Sequence, residues 1–282
     1  MDGIWGTITP GMSTERQIST NDFFARNPVF SLGKAAHVLN PAGGRSGTLE
    51  RLKYHVRAGR LKRVAREVYA TVPRGQSPEQ FRPDMIFVAA TVRPDAIFSY
   101  HSALELQGVA HSEWSQCTLF CAQRRPPLTT DGGNVLFLSH PAPLRKCGDV
   151  LVGTQKVEYR GQLLRVTGPE RTLIEGFRRL DLMGGVAEFL EPVSGFPVLD
   201  LDLLERVLRC YSVASLWAAA GWLLDVQQDQ FHVPESFLQK LEGHRPRAPQ
   251  YLVRQRRGGT LAARWNLILP PEMEHLGEPD ER

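Results

Sequence analysis

The sequence predicts an α+β chain built from two modules, and three observations carry that prediction. Charge is segregated: residues 1–75 hold 12 Arg and Lys against 5 Asp and Glu, whereas the other 207 residues hold 22 against 25. The formal net charge of +4 therefore hides a compact basic module on a neutral-to-acidic body. Apolar residues at helical spacing up to about residue 58 then give way to strict alternation over 61–72. Beyond residue 84, runs rich in β-branched and aromatic residues mix with helical patterns, and the helical patterns dominate the C-terminal part. The expected layout is a disordered leader at 1–18, the basic module at 19–73, a Pro/Gly/Ser-rich linker at 74–83, a mixed α/β domain at 84–271 and a disordered tail at 272–282.

In the basic module, Ser19, Thr20 or Asn21 can cap a first helix carrying Phe23 and Phe24, which Pro28 ends. Ser31 is placed to cap a second helix with Leu32, Ala35, Ala36 and Leu39 on one face. Asn40 to Gly44, with Pro41 and paired glycines, predicts a turn. A third helix is expected from about Ser46 to Ala58. Its Leu49, Leu52 and Val56 should face the core, with Arg51, Tyr54, His55 and Ala58 opposite and Lys53 and Arg57 on the shoulder. Gly59 suits the C′ position after it. Leu61–Ala65 and Val68–Val72 then form a hairpin around Arg66 and Glu67.

Helix, turn, basic helix and basic hairpin in that order describe a winged helix-turn-helix, whose third helix enters the major groove of duplex DNA. Arg51 can pair two donors with guanine, and Tyr54 and His55 can donate to bases or phosphates. Lys62, Arg63 and Arg66 sit where a wing meets a phosphate backbone or minor groove, and Arg45 and Arg60 flank the helix. Ser46, Thr48, Lys53 and Arg57 complete the candidate DNA-binding set.

In the body, Asp84–Thr91 and His101–Gln107 read as helices, the second ended by Gly108. Residues 116–121, 134–138 and 150–158 read as strands. Thr167 with Glu170 fits a capping box, with Pro169 near the first helical position. Further helices are expected at about 184–191, 200–211 and 213–226. Arg245, Arg247, Arg254, Arg256, Arg257 and Arg264 are read as a solvated charge run flanking a strand that includes Leu267, Ile268 and Leu269 and packs with Trp265.

The sequence also bounds the chemistry. It contains no run of about 18 apolar residues and no basic start followed by an apolar core, so no membrane segment or secretory signal is expected and the cytoplasm is the predicted location. Cys117, Cys121, Cys147 and Cys210 lack metal-ligand spacing and are expected to be buried free thiols in a reducing compartment. Ser99, His101 and Ser102 invite a nucleophile, but no G-x-S-x-G accompanies them, and they read as a polar helix start. Asp149, Lys156 and Glu158 have neither the order nor the spacing of a metal-dependent nuclease, although an enzyme that uses the basic module for targeting is the alternative reading. No glycine-rich phosphate loop is present. The expectation is a chain without a catalytic site, metal or cofactor.

Three stretches carry a resemblance. DFFARNPVFSLGKAAHVL with LKYHVRAGRLKRVAREVYATVP, SYHSALELQGV at 99–109 and RVTGPERTLIEGF at 165–177 together resemble AbiEi-type antitoxins, in the family's order, over most of residues 20–230. Residues 231–282 match less clearly. The resemblance implies a bacterial transcriptional autorepressor that binds an inverted repeat in its own promoter, as a dimer or cooperative pair. It also implies an antitoxin that opposes an AbiEii-like nucleotidyltransferase toxin of a type IV system, directly or functionally, through the C-terminal domain. Ser99, His101, Ser102, Arg171 and Thr172 are the motif residues of that domain.

Overall fold

The computed structural model describes residues 18–39, 43–253 and 258–273. The chain divides into two compact units, up to Pro83 and from Asp84 onward.

The first unit contains α1 (Thr20–Arg26), β1 (Val29–Ser31), α2 (Leu32–Leu39), α3 (Gly44–Arg57), β2 (Leu61–Ala65) and β3 (Val68–Thr71). Ser19 caps α1 by accepting from the Asp22 amide, and the Ser31 hydroxyl accepts from the Lys34 amide at the start of α2. The strands order as β1-β3-β2, all antiparallel, with Phe30 opposite Tyr69. Phe23, Phe24, Phe30, Leu32, Leu52, Leu61 and Tyr69 close one core between the three helices and this small sheet. Phe23 meets Phe30 edge-to-face at 4.9 Å, the geometry aromatic quadrupoles favour. The structure thus has the three helices and the hairpin that the hydrophobic periods predict. The expected turn at Asn40 to Ala42 lies outside the described residues, as do residues 1–17 of the expected leader.

The second unit is a six-stranded sheet clad on both faces. It runs α4 (Met85–Val92), β4 (Ile97–Phe98), α5 (His101–Leu106), β5 (Gln116–Cys121), β6 (Leu128–Thr130), β7 (Gly133–Ser139), α6 (Ala142–Cys147), β8 (Thr154–Tyr159), β9 (Gln162–Thr167) and α7 (Pro169–Arg178). Then follow α8 (Ala187–Ser194), α9 (Leu201–Tyr211), α10 (Ala214–Val226), α11 (Glu235–Glu242), β10 (Gln250–Tyr251), β11 (Thr260–Ala262) and β12 (Leu267–Leu269). The large sheet orders as β6-β7-β5-β4-β9-β8, with β5–β7 and β4–β9 parallel. Alternation sends Cys117 and Leu119 into the cluster that holds Ile86 and Ala89 of α4, while Phe120 joins the cluster of α7 to α11. The fold is α+β, as predicted, and among the described residues no helix is long and apolar enough to cross a membrane.

Several expectations need correction. The strand expected at 150–158 starts at Thr154, because Val150 to Gly153 form a turn whose carbonyls satisfy Arg171. Gly168, not Thr167, caps α7: the Thr167 hydroxyl bonds instead to Thr172 at 2.8 Å, and Glu170 accepts from the Asp200 amide at 2.8 Å. The helix expected at 184–191 starts at Ala187, because Gly184 and Gly185 have φ of 91° and 101°. Cys147 and Cys210 are not free thiols; they form a disulfide that joins the ends of α6 and α9, while Cys117 and Cys121 are free and buried. The disordered tail expected from 272 is corrected at its start, since Met273 is fully buried in the body's core; residues 274–282 lie outside the described residues.

The C-terminal sheet, ordered β10-β12-β11, packs on α10, with Leu267, Leu269 and Trp265 in the core they share. Trp265 is buried against Gly221, where an added Cβ would lie 2.1 Å from the indole, and its Nε1 donates to Asp225 at 2.9 Å. Arg264 donates to Asp225, Glu235 and Glu242, so this arginine is engaged rather than solvated. Arg245 is tied down in the same way, to Glu242 and to the Arg264 carbonyl. Arg254, Arg256 and Arg257 lie outside the described residues.

Candidate nucleic-acid interface

Helix α3 starts two residues before its expected first residue, because Gly44 takes a φ of 54° and Gly43 packs against Gly47. Its buried side chains are Thr48, Leu52 and His55, with Leu49 and Val56 half-buried beside them. The buried stripe is therefore rotated by about one residue from the Leu49-Leu52-Val56 seam. His55 follows Leu52 by three residues, nearly a full turn, so the two share a face.

Two candidates are corrected on that account. Thr48 is fully buried and its hydroxyl donates to the Gly44 carbonyl at 2.8 Å. His55 is only 7% exposed and meets Phe24 edge-to-face at 5.0 Å. Burial lowers its pKa, and the charges of Arg60 and Arg51 lower it further. Both residues support the helix from inside and are not available to a duplex.

The opposite face of α3 presents Ser46, Arg51, Lys53, Tyr54 and Arg57 to solvent, with Tyr54 at 65% exposure. Lys53 pairs with Glu50 at 2.7 Å, an exposed i,i+3 contact of small worth. Arg60 is exposed but occupied: it lies over the Phe24 ring and donates to Asn21, tying the end of α3 to α1. Lys62 points to the connector and donates to the carbonyls of Pro78 and Phe81 at 2.8 and 3.1 Å. Arg63 and Arg66 are exposed on the β2–β3 hairpin. Glu67 holds the left-handed φ of the turn, 60°, and pairs with Arg45 at 2.6 Å, linking the helix start to the hairpin tip. Arg45 and Glu67 are 22 residues apart, so no local pattern in the sequence announces this pair.

Between helix and hairpin lies a groove of about 420 Å³. Lys53 and Arg57 line it from α3, Arg63 and Arg66 from the hairpin, and Leu49, Val56 and Tyr69 form its floor. Its one carboxylate, Glu67, is the residue paired with Arg45. Four cations from two elements thus converge on one concave surface, an arrangement that attracts a polyanion.

The motif residues of the body are placed differently. Ser99, His101, Ser102, Arg171 and Thr172 are all buried. Ser102 accepts from the Thr118 amide at 2.9 Å, and His101 stacks on Trp114 at 4.6 Å. Tyr100, at the β4–α5 junction, has a φ of 57°, a conformation that costs a bulky residue about 1–3 kcal/mol. Arg171 donates to Glu175 at 2.9 Å and to the carbonyls of Val150 and Val152, and Tyr211 also donates to Glu175, at 2.5 Å. Burial works against the charge on Arg171, but the Glu175 carboxylate holds its pKa above the usual value. Thr172 and Gln107 close around the Thr167 carbonyl. These residues join β9, α5, α7 and α9, and none presents a reactive atom to solvent. Asp149 accepts from the Leu151 amide in its own turn, Glu158 stands exposed on the edge strand β8, and no metal-binding group of three or more His, Cys, Asp or Glu occurs among the described residues.

No protein-family model matches this chain, and no curated protein matches it. In fold it is similar to the crystal structure of the RV2827C protein from Mycobacterium tuberculosis, with a TM-score of 0.56 over 86% of this chain and 87% of that one, at 19% identity.

Proposed function

We propose that this chain is a sequence-specific DNA-binding protein that represses its own promoter and serves as the antitoxin to a nucleotidyltransferase toxin. The supporting observation is the cationic groove between α3 and the β2–β3 hairpin, with Arg51 and Tyr54 exposed on the adjoining helix face. A helix of this kind fits the major groove with the hairpin cations on the flanking phosphates. The antitoxin half rests on the resemblance of residues 99–109 and 165–177 to AbiEi-type antitoxins. Their buried placement assigns those motif residues to the scaffold that any toxin-facing surface would stand on. The protein then acts in the cytoplasm, binding an inverted repeat as a dimer or cooperative pair.

Gel shifts on the chain's own promoter against random duplex test the first half. Discrimination that survives moderate salt is expected, with affinity falling steeply as salt rises. Equal binding to both duplexes overturns it. Co-expression with an adjacent nucleotidyltransferase gene tests the second half: growth should be rescued by the full chain and not by residues 1–83 alone.

A further inference from the structure

A cavity of about 530 Å³ lies on the body, where the β8–β9 hairpin borders the start of β4. It has the size of a small-ligand pocket and plays no part in the DNA-binding reading. Its floor includes Ala96 and Ile97, and His140, Leu151 and Leu163 stand around it. Three features of its lining call for a ligand.

Lys156 and Arg165 both line the cavity and face each other directly across the β8–β9 ladder. Like charges in that register repel. Among the described residues neither forms an ion pair, and Arg165 makes a polar contact with the Thr154 hydroxyl at 3.3 Å. The carboxylate in the lining, Asp95, is already held by Arg93 at 2.5 Å and by the Ala122 amide at 2.9 Å. Glu158, opposite Leu163 in the same hairpin, pairs with neither cation. Two uncompensated positive charges therefore share one concave surface.

The second feature is the imidazole of His140, which joins the two cations in the lining. The third is the rim, where Leu151 and Leu163, 49% and 71% exposed, set apolar surface beside the two cations. Cations alone would suit an inorganic ion, and leucines alone would suit a neutral apolar molecule. Here both occur around one opening.

We propose that this cavity binds a small organic anion, its phosphate or carboxylate set between Lys156 and Arg165 and its apolar body against Ile97, Leu151 and Leu163. The residues that line the site all belong to the body.

Isothermal titration of the full chain with 1-naphthyl phosphate and with 1-naphthoate tests this and distinguishes the two head groups. Saturable one-site binding of at least one probe is expected. Both 1-naphthol and inorganic phosphate should bind about tenfold or more weakly than the better probe, a difference of about 1.4 kcal/mol. The double variant K156Q/R165Q should weaken that probe about tenfold or more, and L163A should weaken it with both cations intact. R51Q/R57Q, altered only in the first unit, should leave it unchanged. Circular dichroism melting of each variant controls for folding, and L163A keeps the test decisive if the double variant fails to fold. Absence of saturable binding by both probes overturns the proposal. So does binding of 1-naphthol or inorganic phosphate as tight as the better probe, or loss of binding in R51Q/R57Q but not in K156Q/R165Q.

Discussion

On α3 the guanidinium groups of Arg51 and Arg57 stand in solvent, whereas on α7 that of Arg171 has no exposed surface and is held by a carboxylate and two carbonyls. Both helices bear arginines within a few residues of buried leucines, yet the same side chain does opposite work. In the first unit, Arg51 and Arg57 keep their charge at the surface, where the proposed duplex would meet it. In the body, charge is consumed by the fold, and its removal strands a buried partner. Exposure and pairing, rather than residue type, separate a binding arginine from a structural one.

The largest effect that can break this contrast lies in the body. R171M should cost about 3–5 kcal/mol in urea unfolding, because the enclosed Glu175 loses its buried ion-pair partner. The double variant R171M/E175L should be more stable than the single one, since neither charge then remains buried. A single variant within about 1 kcal/mol of the parent would show that Arg171 is no more structural than Arg51.

The disulfide sharpens the same contrast. Cys147 and Cys210 are 63 residues apart in sequence, and replacing both by Ser should destabilise the body by about 2–4 kcal/mol. Binding to DNA by the first unit should be unaffected in a gel shift. In that unit R51A should cost about 1–3 kcal/mol in operator affinity and relax base preference. R63A should weaken all duplexes alike and reduce the salt slope by about 1. Neither should shift the melting temperature beyond what about 0.5 kcal/mol produces.

A pH effect follows from His55. Its folded pKa lies below the ordinary 6.5, so the unfolded chain takes up the proton first as pH falls. The stability this neutral ring contributes is complete above about pH 6.5 and is lost on acidification below it. H55F should flatten that part of the first unit's stability profile in hydrogen exchange between pH 7 and 5. The smallest effect is at the hairpin tip. E67A removes an exposed ion pair worth about 0–1 kcal/mol and should leave stability nearly unchanged while raising affinity for duplex DNA.

The sequence disclosed the elements with strong local periods and missed what depends on partners. The basic third helix, the hairpin, strand 116–121 and helices 201–211 and 214–226 all follow from apolar spacing of 3.6 or 2. Strand β4 has two residues and β6 three, too short to show alternation. Strand β9 runs almost directly into α7, and its QLLRVT lacks the strict alternation that marks a strand. The engaged states of Arg60 and Lys62 were illegible because Asn21 and the Pro78 and Phe81 carbonyls lie 16 to 39 residues away. His55 was misplaced by helix phase alone, an error the Phe24 contact exposes. The Cys147–Cys210 bond spans α6 and α9, and no local pattern announces it.

Four of the five tryptophans, Trp114, Trp217, Trp222 and Trp265, belong to the body, and the described part of the first unit contains none. Trp265 sits enclosed against Gly221 with its nitrogen bonded to Asp225, next to Trp217 and Trp222 on α10. Indole emission is thus an intrinsic optical reporter for release of the C-terminal sheet, where a shift to longer wavelength marks water reaching the ring. Melting of the first unit alone should leave the emission of Trp265 unchanged.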